Sequence, residues 1–281
     1  MRHVTNGLRI ALFSALPLLL LPRPAPAAEP DSTWVDPMKA VHAKFTGKKG
    51  TFAQFGDSIT VTMAYWSNLE WEKPKGLDDA GAKAIATVKA HMLKDCWQKW
   101  KGPDYGSDGG QTIVWAADKI DGWLKKLNPE AALIMFGTND VGRVKLDTYE
   151  AKYRDVVQRC LANGTVVILS TIPPKHGQLD KSKQYSAVVR KLAGEFKLPL
   201  IDYEAEILTR RPDDWDGAVV HKGAKNVYDV DTPISADGVH PSAPKKYAGD
   251  YSADGLKHNG YGLRTYLTAM TYAAVIDRVL K

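Results

Sequence analysis

From residue 50 onward, short continuous apolar runs alternate with longer stretches whose apolar residues recur at helical spacing. GTFAQFG (50–56), AALIMFG (131–137), TVVILSTIPP (165–174) and LPLIDY (198–203) are apolar runs of strand length, bounded mostly by glycine or proline. Runs of that kind mark strands buried on both faces. Between and after them, AGAKAIATVKAHMLKDCW (80–97), TIVWAADKIDGWLKKL (112–127), LDTYEAKYRDVVQRCLANG (146–164), SKQYSAVVRKLAGEF (182–196) and YGLRTYLTAMTYAAVIDRVL (261–280) read as helices. The alternation predicts an α/β protein: a three-layer α/β/α sandwich around a mainly parallel sheet. Nothing between residues 97 and 106 reads convincingly as a strand. Residues 204–260, rich in Asp, Gly and Pro, form the irregular part.

The first residues follow a different pattern. MRHVTNGLR carries Arg2 and Arg9, IALFSALPLLLL is apolar, and Ala25-Pro26-Ala27 closes a small-residue stretch. That is the order of a secretory signal, with cleavage expected after Ala27. The apolar run is only about a dozen residues and contains Pro17, short of the roughly 20 that a membrane span needs. Export to the periplasm or medium is the expectation, with residues 28–281 as one domain of 281 − 27 = 254 residues. No repeat or low-complexity linker divides it.

Charge changes the picture little. The leader holds Arg2, Arg9 and Arg23 and no acid, so its removal lowers the formal charge from +6 to +3. The remaining lysines are scattered, which argues against a nucleic-acid partner. Cys96 and Cys160 fall in separate predicted helices, and the sequence leaves open whether they pair. Neither C-x-x-C nor H-E-x-x-H occurs, and the acidic run at 228–237 lacks calcium-loop spacing, so neither a metal nor a cofactor is expected. Asn163-Gly164-Thr165 is a formal glycosylation sequon that reads better as a helix stop.

The candidate chemistry starts from ADGVHP (236–241). His240 stands three residues after Asp237, between Gly238 and Pro241. An imidazole serves as a base when a carboxylate fixes its tautomer, and Asp237 is placed to do so. Ser58, after the first strand and at the start of a helix, is the candidate nucleophile, because a serine hydroxyl needs such a base. An oxyanion formed by its attack needs donors: the N–H of Ser58, an N–H within DYGSDGGQT (104–112), and the amide of Asn139. In an open α/β sheet these strand-end stretches share the carboxyl edge, where ligands bind. Each has a bland reading as well, such as Asp57 in GDS serving only as a helix cap. Their ordered conjunction favours chemistry. A G-x-S-x-G elbow is absent, since Tyr105 stands where Ser107 would need glycine.

These blocks resemble those of the SGNH (GDSL) hydrolases: GDSIT at 56–60, GTND at 137–140 and DGVHP at 237–241. The resemblance spans nearly the whole chain after the leader. It implies a flavodoxin-like fold, with Ser58 as nucleophile, His240 as base, Asp237 as its partner, and Ser58 and Asn139 as oxyanion donors. The second block departs from the family pattern, with Asp104 where asparagine is usual. Gly109 fits the third donor by spacing, and Gly110 is the alternative one step on.

The resemblance implies an ester hydrolase acting on a small-molecule or polysaccharide ester. Eight tryptophans and the YWSNLEW insertion (65–71) suit a carbohydrate ester, although Trp115 and Trp123 sit on a helical core pattern. No long apolar lid is evident, so a small acyl group, acetyl, is expected. Two alternatives remain at this stage: an O-acyltransferase using the same triad, and a non-catalytic carbohydrate-binding protein on the same scaffold.

Overall fold

Four parallel strands form the centre of the computed structural model: β1 (Phe52–Gly56), β2 (Ala131–Met135), β3 (Val166–Ser170) and β4 (Leu200–Ile201). They lie in the order β1-β2-β3-β4, with Phe52 opposite Ala131 and Ala131 opposite Val166. Every residue of the first three strands is buried, as the continuous apolar runs require of a sheet covered on both faces. The structure describes Met1, His3 and residues 32–281, so the expected leader (1–27) lies outside the described residues save for those two. The chain divides into two units, Met1–Ser32 and Thr33–Lys281, and the second holds every element named here.

In chain order the helices are α1 (Val35–His42), α2 (Ser58–Val61), α3 (Asp79–His91), α4 (Asp95–Gln98), α5 (Ile113–Leu127), α6 (Leu146–Ala162), α7 (Leu179–Phe196), α8 (Tyr203–Arg210), α9 (Gly217–Val220), α10 (Gly255–His258) and α11 (Gly260–Val275). Crossovers from β1 to β4 step in one direction, so right-handedness puts α5, α6 and α7 on one face. In keeping with this, α5 packs on α6 and α6 on α7, while α3 packs on α11. Aromatic rings fill the space between the layers: Phe52 stacks on Tyr272 at 4.0 Å and Phe55 on Trp123 at 5.4 Å between centroids. The three-layer α/β sandwich follows.

Two local outcomes differ from the sequence pattern. The helix expected over 80–97 stops at His91, because Met92 turns extended and Leu93 donates to Gly50 O at 2.8 Å. Cys96 consequently sits in the separate turn α4, where its Sγ accepts from the N–H of Phe52. Cys96 and Cys160 are both free and buried. The faint region before residue 106 supplies a single parallel bridge, Gly56 to Ser107, beside β1 instead of a fifth strand. Gly106 N–Cα is left-handed there (φ +91°), and a Cβ would come within 2.2 Å of the Phe55 ring. Asn163-Gly164-Thr165 is a helix stop: Asn163 donates to Asn128 and to Thr165, and Gly164 has φ +83°.

Gly106→Ala should therefore lower stability by roughly 1–3 kcal/mol or more in denaturant titrations, from strained φ plus overpacking. Gly102→Ala is the internal control. Its φ is +98° but a Cβ there meets nothing within 4 Å, so its loss should be the smaller. Equal losses would show that the approach to Phe55 costs nothing.

Candidate active site

β1 ends at Gly56, and α2 begins at Ser58 after Asp57 has capped it by accepting from the Ile59 N–H at 3.0 Å. The bland reading of Asp57 thus holds. This cap presents the Ser58 hydroxyl at the carboxyl edge of the sheet. A four-residue helix leaves its last carbonyls without intrahelical donors, and two cations, buried Arg264 and half-buried Lys101, supply them. Arg264 Nη1 donates to Ile59 O at 2.7 Å, and Lys101 Nζ donates to the carbonyls of Thr60, Thr62 and Tyr65 at 2.9, 2.8 and 3.2 Å. Burial, with Arg264 nearby, brings the Lys101 ammonium down to about 7. No sequence signal marked either residue, since a cation in a helical or loop stretch ordinarily reads as surface.

The loop before α10 folds back onto the same edge. His240 Nε2 lies 2.9 Å from Ser58 Oγ, and His240 Nδ1 lies 2.7 Å from Asp237 Oδ2. A carboxylate only accepts, so Nδ1 carries the proton, and in the neutral ring Nε2 is left to accept from the serine. Asp237 Oδ1 meanwhile accepts from Ser235 Oγ and from the N–H groups of Val239 and His240, at 2.7, 2.8 and 2.9 Å. Burial pushes this carboxyl up, but these bonds, with that of the His240 ring foremost, outweigh it and hold it well below the usual carboxylate range. Gly238 lies between them because its φ is +73° and a Cβ would meet His176 at 2.4 Å.

Of the expected oxyanion donors, the N–H of Ser58 has no acceptor among the described residues. Asn139 Nδ2 faces Gln111 O at 3.0 Å and Asp57 Oδ2 at 3.4 Å, so it is at the site and held by neighbours other than its own backbone. The N–H of Gly109 is turned to the Asp108 side chain at 2.9 Å, whereas that of Gly110 has no acceptor among the described residues. A cavity of about 340 Å³ opens beside Ser58 and His240, lined further by Thr62, Ala64, Tyr228, Ala243 and Tyr261. The Tyr228 ring meets His240 edge-on at 5.9 Å. No motif marks these wall residues: Thr62 and Ala64 follow α2, Tyr228 and Ala243 lie in the irregular segment, and Tyr261 is in the first turn of α11. The aromatic wall is tyrosine: five of the eight tryptophans are buried, and Trp71 is the one exposed. Among the described residues there is no metal-holding cluster and no helix long and apolar enough to cross a membrane.

A serine, an imidazole and a carboxylate joined in line at the carboxyl edge of a parallel sheet are the equipment of a carboxylic ester hydrolase. The chain belongs to the GDSL-like Lipase/Acylhydrolase family, whose model matches residues 55–244. Several solved structures are similar to it. The psychrotrophic esterase EstA from Pseudoalteromonas sp. is 17% identical, with a TM-score of 0.50, over 81% of this chain and 99% of that one. An acetylxylan esterase from Geobacillus stearothermophilus is 19% identical, with a TM-score of 0.46, over 81% and 96%. A lipase/acylhydrolase from Enterococcus faecalis is 16% identical, with a TM-score of 0.48, over 79% and 95%. At these identities the likeness extends to the fold alone. No curated protein sequence matches the chain.

Beneath the site lie two buried carboxyls. Burial lifts Asp57 to about 6 and Asp140 to about 7, and the charge of Asp57 adds to the rise at Asp140. Asp140 Oδ1 accepts from the Ile113 N–H, while its Oδ2 is buried without a partner among the described residues. A carboxyl whose folded pKa is raised binds its proton more tightly in the folded state. Its destabilising effect is absent below the unfolded value near 4 and grows as pH rises toward 7. Asp140→Asn keeps the acceptor for Ile113 and removes the titration. Its stability relative to wild type should therefore increase between pH 4 and pH 8, by about 2–4 kcal/mol at roughly 1.4 kcal/mol per pKa unit. A pH-independent difference in chemical denaturation would contradict this.

Proposed function

We propose that the protein is an exported serine esterase that hydrolyses O-acyl esters, specifically O-acetyl esters of carbohydrate, through an acyl-serine intermediate. The observation that carries the chemistry is the unbroken line from Ser58 Oγ through His240 to Asp237, with contacts of 2.9 and 2.7 Å. In this reading His240 Nε2 takes the Ser58 proton as Oγ attacks the carbonyl carbon. The imidazolium then returns that proton to the departing alcohol. Water next attacks the acyl-serine with His240 again as base, releasing the acid and restoring Ser58. Asp237 holds the ring and stabilises its charge throughout.

Charge on the carbonyl oxygen is met by three donors: the free N–H of Ser58, the amide of Asn139, and the free N–H of Gly110. Gly110 is preferred to Gly109, whose N–H is engaged with Asp108. The longer Asn139 contact, 3.4 Å to Asp57, is the one an oxyanion would replace. Export is supported by the charge, apolar-core and A-x-A order of residues 1–27. A short acyl group is supported by what lies beyond the apolar wall. Ala64, Ala243 and Tyr261 also border a second recess with Asn68, Glu72, Asp250 and Asn259 in its lining. An alkyl chain driven there would bury polar groups without partners.

Ser58→Ala should reduce ester hydrolysis by on the order of 10⁴-fold or more, with the melting temperature unchanged, because only a small hydroxyl is lost. Activity within a few-fold of wild type would remove Ser58 from the mechanism. On p-nitrophenyl esters, kcat/KM should fall from acetyl to octanoyl. A lipid-directed pocket would instead gain roughly 0.8 kcal/mol per buried methylene, and a steady rise along that series would overturn the acetyl assignment.

A further inference from the structure

The YWSNLEW segment divides its residues between two duties. Tyr65 and Trp66 are fully buried in the core, and the turn at Ser67–Glu70 then places Asn68 and Glu72 on the wall of a recess of about 120 Å³. Three residues, Ala64, Ala243 and Tyr261, border both this recess and the cavity at Ser58 and His240, so the two adjoin. The far wall comes from Gly249-Asp250-Tyr251. It is fastened to the Asn68–Glu72 side by Lys75 N to Gly249 O and Tyr251 N to Lys75 O, each 2.8 Å. The recess is a built feature rather than a gap between loops.

Its polar groups are incompletely used. Tyr251 is 3% exposed, and its buried hydroxyl lies beside Asn68 and Glu72 without a well-formed hydrogen bond among the described residues. Asn68 Oδ1 is likewise buried without a well-formed hydrogen bond among the described residues, while Asn68 Nδ2 is spent on Glu72 Oε2 at 2.9 Å. A buried hydroxyl and a buried carbonyl left unpaired each cost free energy that a bound polar group would recover. The unspent groups are an amide oxygen, the second oxygen of the Glu72 carboxylate and one phenol, which are acceptor-rich with a single donor. Their complement is a ligand dense in O–H groups, and Glu72 with Asp250 would repel a carboxylated one. The recess has room for several water-sized groups.

We propose that this recess is a subsite for a neutral glycosyl unit, which binds through its hydroxyls beside the unit whose ester sits at Ser58. The proposal rests on the carbohydrate-esterase reading and adds to it the subsite and the neutral character of the sugar. Binding there contributes equally to ground and transition states, so it acts on KM and leaves kcat alone.

The test compares acetate release from acetylated neutral oligosaccharides with hydrolysis of p-nitrophenyl acetate. Tyr251→Phe should raise KM for the oligosaccharides about tenfold, keep kcat within twofold, and leave p-nitrophenyl acetate unaffected. It removes only a hydroxyl without a well-formed hydrogen bond, so its melting temperature should equal or exceed that of wild type. Glu72→Gln, which keeps the shape, should act in the same direction. Equal losses on both substrates would show a merely structural role, and no loss on either would show that the recess takes no sugar; either result overturns the subsite. A wild-type enzyme that cleaves p-nitrophenyl acetate but releases no acetate from the oligosaccharides would instead overturn the carbohydrate reading, and the subsite with it.

Discussion

Everything in the site depends on how the carboxylate of Asp237 is held. Three donors within its own loop fix one oxygen, and the second oxygen is left to His240. Because acid and base are three residues apart, a single tight turn sets their geometry. That turn needs a left-handed residue at Gly238 and close approach to His176, which only glycine permits. A carboxylate fed by so many donors stays ionised, and the ring beside it keeps one tautomer. The Ser58 proton then has one place to go.

The sheet brings the serine to meet that turn. β1 is buried on both faces and ends in a cap, so the hydroxyl of Ser58 emerges at the carboxyl edge with little freedom. Lys101 and Arg264 hold the carbonyls at the opposite end of the same short helix. Charge buried for this purpose is costly unless its donors find acceptors; half-buried Lys101 finds three, and buried Arg264 finds two, with its Nε unpartnered among the described residues. The Arg264 guanidinium also lies over the Tyr65 ring at 3.7 Å, tying the last long helix to the segment after the serine. Rigidity at Ser58 is therefore drawn from core packing, while the recess beyond Tyr261 keeps unspent polar groups.

Much of this was legible in the residues, for identifiable reasons. The strands announced themselves because a doubly covered parallel sheet demands continuous apolar runs. Ser58, Asn139, Asp237 and His240 stood out because short motifs at strand ends have few structural uses. The break of the third helix at His91 was hidden, since it is caused by a carbonyl at Gly50, a tertiary contact with no local sequence signal. Asp108 engages the N–H of Gly109 and leaves that of Gly110 without an acceptor among the described residues, a difference that spacing does not carry. Lys101, Arg264 and Tyr251 were illegible for a similar reason: a cation or a phenol reads as surface or core until its neighbours are known. The tryptophans that suit a carbohydrate ester mostly fill the layers, and the aromatic residues lining the cavity are Tyr228 and Tyr261.

The central claim is that the Asp237–His240 pair makes Ser58 the nucleophile. The most direct measurement is covalent labelling with an alkyl fluorophosphonate, read by intact mass and then by peptide mapping. The account predicts one adduct per chain, located on Ser58, forming in step with the loss of esterase activity and slowed by orders of magnitude in His240→Ala. Complete inactivation with Ser58 unmodified, or labelling of Ser58 at an undiminished rate without His240, would contradict it.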